Sequence, residues 1–360
     1  MTPRWWDTVG ATLVLAVAAV GCHGEDQERS SGHGSGPVTV AERWVSAGDP
    51  SWDVDTPALW TEGAEGRVLV TAKGTHELRV FDAATGAALD PVGRQGRGPG
   101  EFLRPNGVVT VDDFVLVVER DNHRVQVLRM PEGHSLGTFG ADQLEYPYGI
   151  AVSGDSALLT VWVTDDYESG ESGIPDDLTR RLHRFLVDLT AGGEPVVVEH
   201  DVFGEAEGAG ALRVVESLQV DEDGDVLFVA DESRKLYAAY GFSGRFRGEP
   251  HLGAGVIEGD PEGLVLVKCE GGGGYWVVTD QQEDVSVFRV FDRDTLEFLG
   301  AFRGEFTANT DGTTFAHGPA PGFPGGVLYA VHDDQALSAF AWADVSQSLS
   351  LRADCGVLPA

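Results

Sequence analysis

The apolar residues of this chain fall in short runs broken by Gly, Asp, Asn and Pro, and no stretch of the body keeps a helical period. That pattern predicts many short strands joined by tight turns. Marked out in pairs, the strands repeat. Val68-Leu69-Val70-Thr71 is followed by Leu78-Arg79-Val80-Phe81, residues 114–118 by Arg124-Val125-Gln126-Val127-Leu128, and residues 158–164 by Leu182-His183-Arg184-Phe185-Leu186. Residues 226–230 precede 235–240, residues 275–279 precede 285–291, and residues 327–331 precede 336–341. These six hairpins recur at roughly 45 to 70 residues, a spacing near that of propeller blades. Further apolar runs stand ahead of most of them, such as Gly107-Val108-Val109-Thr110-Val111 and Glu262-Gly263-Leu264-Val265-Leu266-Val267. They supply the inner strand a blade needs, whose first residues face the central channel. The expected fold is all-β, a six-bladed β-propeller in one domain over residues 38–360. Two β-sandwich domains are the competing architecture, but no break in composition separates Val40 from Val345.

The segment ahead of the repeats reads differently. Residues 1–22 have the layout of an export signal, with Arg4 before the apolar run Leu13-Val14-Leu15-Ala16-Val17-Ala18-Ala19-Val20. That run is too short to span a bilayer stably. It ends in Ala19-Val20-Gly21-Cys22, which resembles a bacterial lipobox, and Cys22 would then carry the lipid. An ordinary secretory signal with an incidental Cys is the alternative. Residues 23–37 are polar and rich in Gly and Ser, as in a flexible tether. Export to the bacterial cell envelope is expected, as a monomer touching the membrane only through its anchor. Cys269 and Cys355 would then meet an oxidising compartment, which permits a disulfide, but nothing in the sequence brings them together.

Charge narrows the partners. With 58 Asp and Glu against 25 Lys and Arg, the formal net charge is -33, which repels nucleic acid and anionic membranes. A solubility surface accounts for such a charge in bulk. Convergence of some carboxylates on hard cations is the sharper reading.

The chain has no His-Glu-x-x-His. Gly271-Gly272-Gly273-Gly274 lacks the Lys and Ser or Thr of a phosphate loop and reads as a hairpin turn. The ten His residues form no ligand-spaced pair on an evident strand face. Carboxylates stand out instead, at the openings of inner strands or the ends of second strands. They are Asp55, Glu216, the pair Asp231-Glu232, Asp260 with Glu262, and Asp311. Each alone reads as a loop charge, but equivalent places in different blades could converge on one channel mouth, where repulsion would demand a cation.

Several of these stretches resemble the β-propeller phytases, calcium-dependent phosphatases of inositol hexakisphosphate. Asp55-Thr56-Pro57-Ala58-Leu59-Trp60 resembles the family's Asp-Asp-Pro-Ala-Ile-Trp, Leu227-Phe228-Val229-Ala230-Asp231-Glu232 its Leu-Tyr-Ile-Ala-Glu-Glu, and Asp260-Pro261-Glu262-Gly263-Leu264 its Asp-Ile-Glu-Gly-Leu. Phe323-Pro324-Gly325-Gly326-Val327-Leu328, with Asp333 beyond, is similar to its last strand. The resemblance implies Ca2+ as cofactor and a small phosphorylated substrate, phytate or a lower inositol phosphate. It implies that Asp55, Glu216, Glu232, Asp260, Glu262, Gln281 and Asp311 serve calcium, with Glu232, Asp260, Glu262 and Lys73 in catalysis. Lys73, Arg120 and Tyr148 would bind substrate. Thr56 and Gly74 depart from the pattern, as does the stretch near Asp166, where a phosphate-binding lysine is replaced, and full phytate cleavage is put in doubt. Gly96-Arg97-Gly98-Pro99-Gly100-Glu101-Phe102, Pro105-Asn106-Gly107 and Asn122-His123-Arg124-Val125-Gln126-Val127 look instead like an NHL repeat, found mostly in binding proteins. In that blade Arg124 and Gln126 are expected to be strand-face residues rather than ligands. A lactonase-like propeller hydrolase with one calcium is a third reading.

Overall fold

The fold comes from a computed structural model, which describes residues 36–169, 173–190, 193–282 and 284–357. The expected signal over residues 1–22, Cys22 and all but the end of the 23–37 tether lie outside the described residues.

Every expected hairpin is present as the second and third strands of a small antiparallel sheet, and six such sheets make a six-bladed β-propeller. Blade 1 runs Val54–Glu62, Glu65–Ala72, Glu77–Asp82 and Ala88–Val92 from the axis outward. Blade 2 is Pro105–Val111, Phe114–Glu119, Arg124–Arg129 and His134–Phe139, and blade 3 is Pro147–Asp155, Leu158–Asp165, Leu182–Asp188 and Val196–Phe203. Blade 4 has three strands, Val215–Asp221, Val226–Asp231 and Leu236–Tyr240, and single bridges from Leu252 and Phe246 cover its outer edge. Asp260–Lys268, Gly274–Gln282, Val285–Asp292 and Phe298–Arg303 form blade 5. Thr313–Ala316, Val327–His332 and Ala336–Ala341 form the inner part of blade 6.

The ring is closed by the start of the described chain. Val38–Thr39 adds a parallel strand to the outside of blade 5, and Trp44–Val45 supplies the outer strand of blade 6. Glu42 between them accepts hydrogen bonds from the backbone N–H groups of Glu305, Phe306 and Thr307 and from the Thr307 hydroxyl (2.6 Å). On the C-terminal side, Cys355 forms a disulfide with Cys269 across 86 residues of sequence. Of the two states the sequence left open for these thiols, the structure has the bonded one.

The core is divided among the gaps between blades. Six apolar clusters are present, each built from two neighbouring blades, as with Val68, Val70, Tyr329 and Leu337 between blades 1 and 6. A blade's middle strands are therefore covered on both faces, which is why they read as unbroken apolar runs such as Val68-Leu69-Val70. Burial of both faces fixes each blade rigidly and leaves function to the loops and strand openings at the two ends of the channel.

Candidate functional site

Each inner strand opens at the same end of the channel. Asp55, Asn106, Tyr148 and Glu216 are the second residues of the inner strands of blades 1 to 4, Glu262 is the third in blade 5, and Asp311 lies just ahead of the one in blade 6. A small residue comes next in the chain each time, namely Thr56, Gly107, Gly149, Ser217, Gly263 and Gly312, and this permits their close approach. A Cβ on Gly107 would sit 2.7 Å from the Tyr148 carbonyl, and one on Gly312 would sit 2.4 Å from the Asp55 carbonyl. Any larger residue would push neighbouring blades apart.

The sequence-selected carboxylates do meet here. The Tyr148 hydroxyl donates to Asp55 (3.1 Å), and Gln281 Nε2 donates to Asp311 (2.7 Å). Lys73 Nζ stands 3.1 Å from both Asp55 and Asp311 and 3.5 Å from Asp53. Burial works against the Lys73 charge, but the three carboxylates outweigh it and hold the ammonium protonated. The resemblance cast Lys73 as a phosphate ligand; its ammonium here is the counter-ion of a carboxylate group.

One ammonium does not balance the mouth. Burial first, then repulsion from Glu232, Asp166, Asp55 and Asp311, drives the Glu216 carboxyl well above the usual range. Glu262 is raised in the same way, by burial and then by Glu216, Asp311, Glu232 and Asp55. Asp311 is pushed up to about 7, because burial together with Asp55 and Asp334 outweighs Lys73. Glu232 is raised by burial first and then by Asp260. Asp260 lies at the exposed rim beside it. Glu216 Oε2 is buried with no hydrogen-bond partner, as are both side-chain polar atoms of Asn106. Such orphans are rare in folded proteins and mark places where a ligand or water belongs. All these donors are hard oxygens suited to Ca2+, although among the described residues no three His, Cys, Asp or Glu side chains already stand at the spacing of a metal site.

Beside Glu216 an annex of about 570 Å3 opens, lined by Arg120, Tyr146, Tyr148, Asp166, Glu168, Ser169 and Glu216. Arg120 pairs with Asp121 (2.9 Å) and lies over the Tyr146 ring. Asp166 begins the long connection between the second and third strands of blade 3, whose far end carries Arg181. Arg181 is fully buried, bonds Asp166 (2.5 Å) and donates to the carbonyls of Asp165, Tyr167 and Arg213.

Three sequence readings need correction or addition. Asp231 belongs to the scaffold: it is buried and accepts from the backbone N–H groups of Arg213 and Val214 and from the Ser233 hydroxyl. His183 and His200 do meet, with Nδ1 of the first 3.1 Å from Nε2 of the second, because they sit diagonally across paired strands. Asn106 was read only as part of the NHL-like stretch. Its signal was present, since Asn106-Gly107 repeats the pattern of a polar residue before a small one seen in Tyr148-Gly149, Glu262-Gly263 and Asp311-Gly312. Arg124 and Gln126 are scaffold residues as expected, both bonded to Glu119.

No protein-family model matches the chain, and no curated protein does. Among solved structures the chain is similar to hydrazine synthase of Kuenenia stuttgartiensis, at 14% identity over 78% of this chain and 73% of that one, with a TM-score of 0.48. It is also similar to a chain of a nidogen–laminin complex, at 14% identity over 70% of this chain and 81% of that one, with a TM-score of 0.47. Nothing about function passes from either. The six-bladed architecture rests on the six sheets of three or more strands in the chain itself.

Proposed function

We propose that this protein is a calcium-dependent phosphomonoesterase of the phytase type, which releases phosphate from inositol phosphates or related esters outside the cytoplasm, tethered through Cys22. One observation carries the reading: carboxylates from four blades crowd a single buried mouth that holds fewer cations than acids, with Glu216 Oε2 left unbonded. Keeping unpaired carboxyls buried costs stability, and that cost is offset if a cation binds there. A non-catalytic NHL-like module needs no such arrangement. The cations Lys73 and Arg120 beside the acids favour a phosphate ester over the lactone of the third reading.

In this reading Asp55, Glu216, Glu232, Asp260, Glu262, Gln281 and Asp311 hold calcium. Bound calcium would supply electrophilic pull on phosphate oxygens and acidify water beside it. The remaining work belongs to the chain. Lys73 keeps its proton and stabilises negative charge gathering on the phosphoryl oxygens. Burial keeps the Tyr148 hydroxyl neutral, so it remains a hydrogen-bond donor at the mouth. Burial and crowding favour the protonated forms of Glu216 and Glu262 when no cation is present, so cation binding should release protons and tighten as pH rises.

The test is phosphate release from phytate and from glycerol 2-phosphate with and without added calcium. Release that needs calcium and stops with chelator supports the reading. Release that survives chelation, or none from either ester with calcium present, overturns it.

A further inference from the structure

The annex beside Glu216 is acidic. Its walls bring three carboxyl groups, Asp166, Glu168 and Glu216, against one guanidinium, Arg120. That guanidinium is already shared with Asp121. Asp166 is paired from behind with buried Arg181, whose two Nη atoms are taken by Asp166 and by the carbonyls of Asp165, Tyr167 and Arg213. Glu168 is exposed on the wall beside Asp166. Glu216, buried and unbonded at Oε2, points to a ligand at the junction of annex and mouth. Tyr146 and Tyr148 supply ring faces and hydroxyls, surfaces that suit carbon, hydroxyl and ammonium groups rather than a dianion.

We propose that the annex receives the alcohol part of the substrate and excludes a second phosphate from it, with Glu168 as a specificity-determining residue. The preferred substrates are then phosphomonoesters whose remaining groups are hydroxyls or ammonium, not densely phosphorylated rings. This rests on the phosphate-site reading above and narrows it.

Calorimetric titration with calcium present tests this without turnover, with inorganic phosphate and myo-inositol hexasulfate as probes. Glu168→Lys should bind the hexasulfate about tenfold or more tightly than the wild type, with Glu168→Gln between them. Inorganic phosphate should bind all three within about threefold. Glu65→Lys makes the same charge change at the turn of blade 1, at the opposite end of the channel, and should leave hexasulfate binding unchanged. If Glu168→Lys gains nothing, or gains no more than Glu65→Lys, the exclusion is wrong while the phosphate site stands. If inorganic phosphate fails to bind the wild type with calcium present, the phosphate-site reading falls and this inference falls with it.

Discussion

Two sets of buried carboxylates stand a few residues apart in this propeller and live under opposite conditions. One set ends the second strands of the blades. Glu119 accepts from Leu103 N–H, Arg124 and Gln126, and Asp165 from the N–H groups of Glu145 and Tyr146. Asp231 accepts from those of Arg213 and Val214, and Asp280 from those of Glu258 and Gly259 and from Arg289 Nε (2.6 Å). In blade 6 the ring of His332 does the same job for Ala308 N–H. Each grips the loop leading into its own inner strand. The other set, Asp55, Glu216, Glu262 and Asp311, opens or precedes the inner strands thus positioned, and there burial and repulsion raise Glu216, Glu262 and Asp311. Burial by itself therefore says little about a carboxylate's role. Whether the chain completes its bonding separates scaffold from site.

The sharpest way to break this comparison is to remove one member of each set. Asp280→Ala strands Arg289 and two backbone N–H groups, and should cost about 3–5 kcal/mol in denaturant unfolding. A loss under about 1 kcal/mol would mean that the satisfied set is not scaffold. Glu216→Gln should act with the opposite sign: the metal-free protein gains about 1 kcal/mol or more because a carboxyl whose charged form burial disfavours is replaced by a neutral amide, and the calcium-induced rise in Tm shrinks. A destabilised metal-free variant would place Glu216 with the scaffold.

The pH dependence sharpens the contrast further. Asp311 has a folded pKa near 7, above its unfolded value of about 4. Between those values the unfolded chain has lost a proton the folded one keeps, so stability falls as pH rises through this window and then levels. Metal-free Tm should drop by several degrees from this and its raised neighbours, and Asp311→Asn should flatten the drop. Glu42 gives the smallest effect, of reversed sign. Burial tends to raise it, but the hydrogen bonds from residues 305–307 together win and lower it. Its contribution is present above the unfolded glutamate pKa and is lost as pH falls through the folded one. Glu42→Gln should cost about 1 kcal/mol or less near neutrality, since half the group is open to solvent, and should weaken acid unfolding of the ring closure. Both are read from Tm across pH.

The sequence disclosed the hairpins because strand and turn signals are local: burial on both faces gives apolar runs, and Gly, Asp and Asn end them. It disclosed much of the mouth for a related reason, since a polar residue followed by Gly recurs at inner-strand openings. Asp231 and Glu232 show where such reading stops. They are neighbours in sequence, yet Asp231 turns to the loop at 213–214 while the charge of Glu232 adds to those that crowd Glu216 and Glu262.

What the sequence by itself determined, then, was the six hairpins, the blade repeat and the list of acids able to reach one end of the channel. Only the tertiary structure decided which acids the chain satisfies and which it leaves in want of a cation. Lys73 meets Asp311 across 238 residues, and Cys269 meets Cys355 across 86. Those pairings exist only once the ring closes, because each mouth residue comes from a different blade and its neighbours are set by the angle between blades rather than by the chain between them.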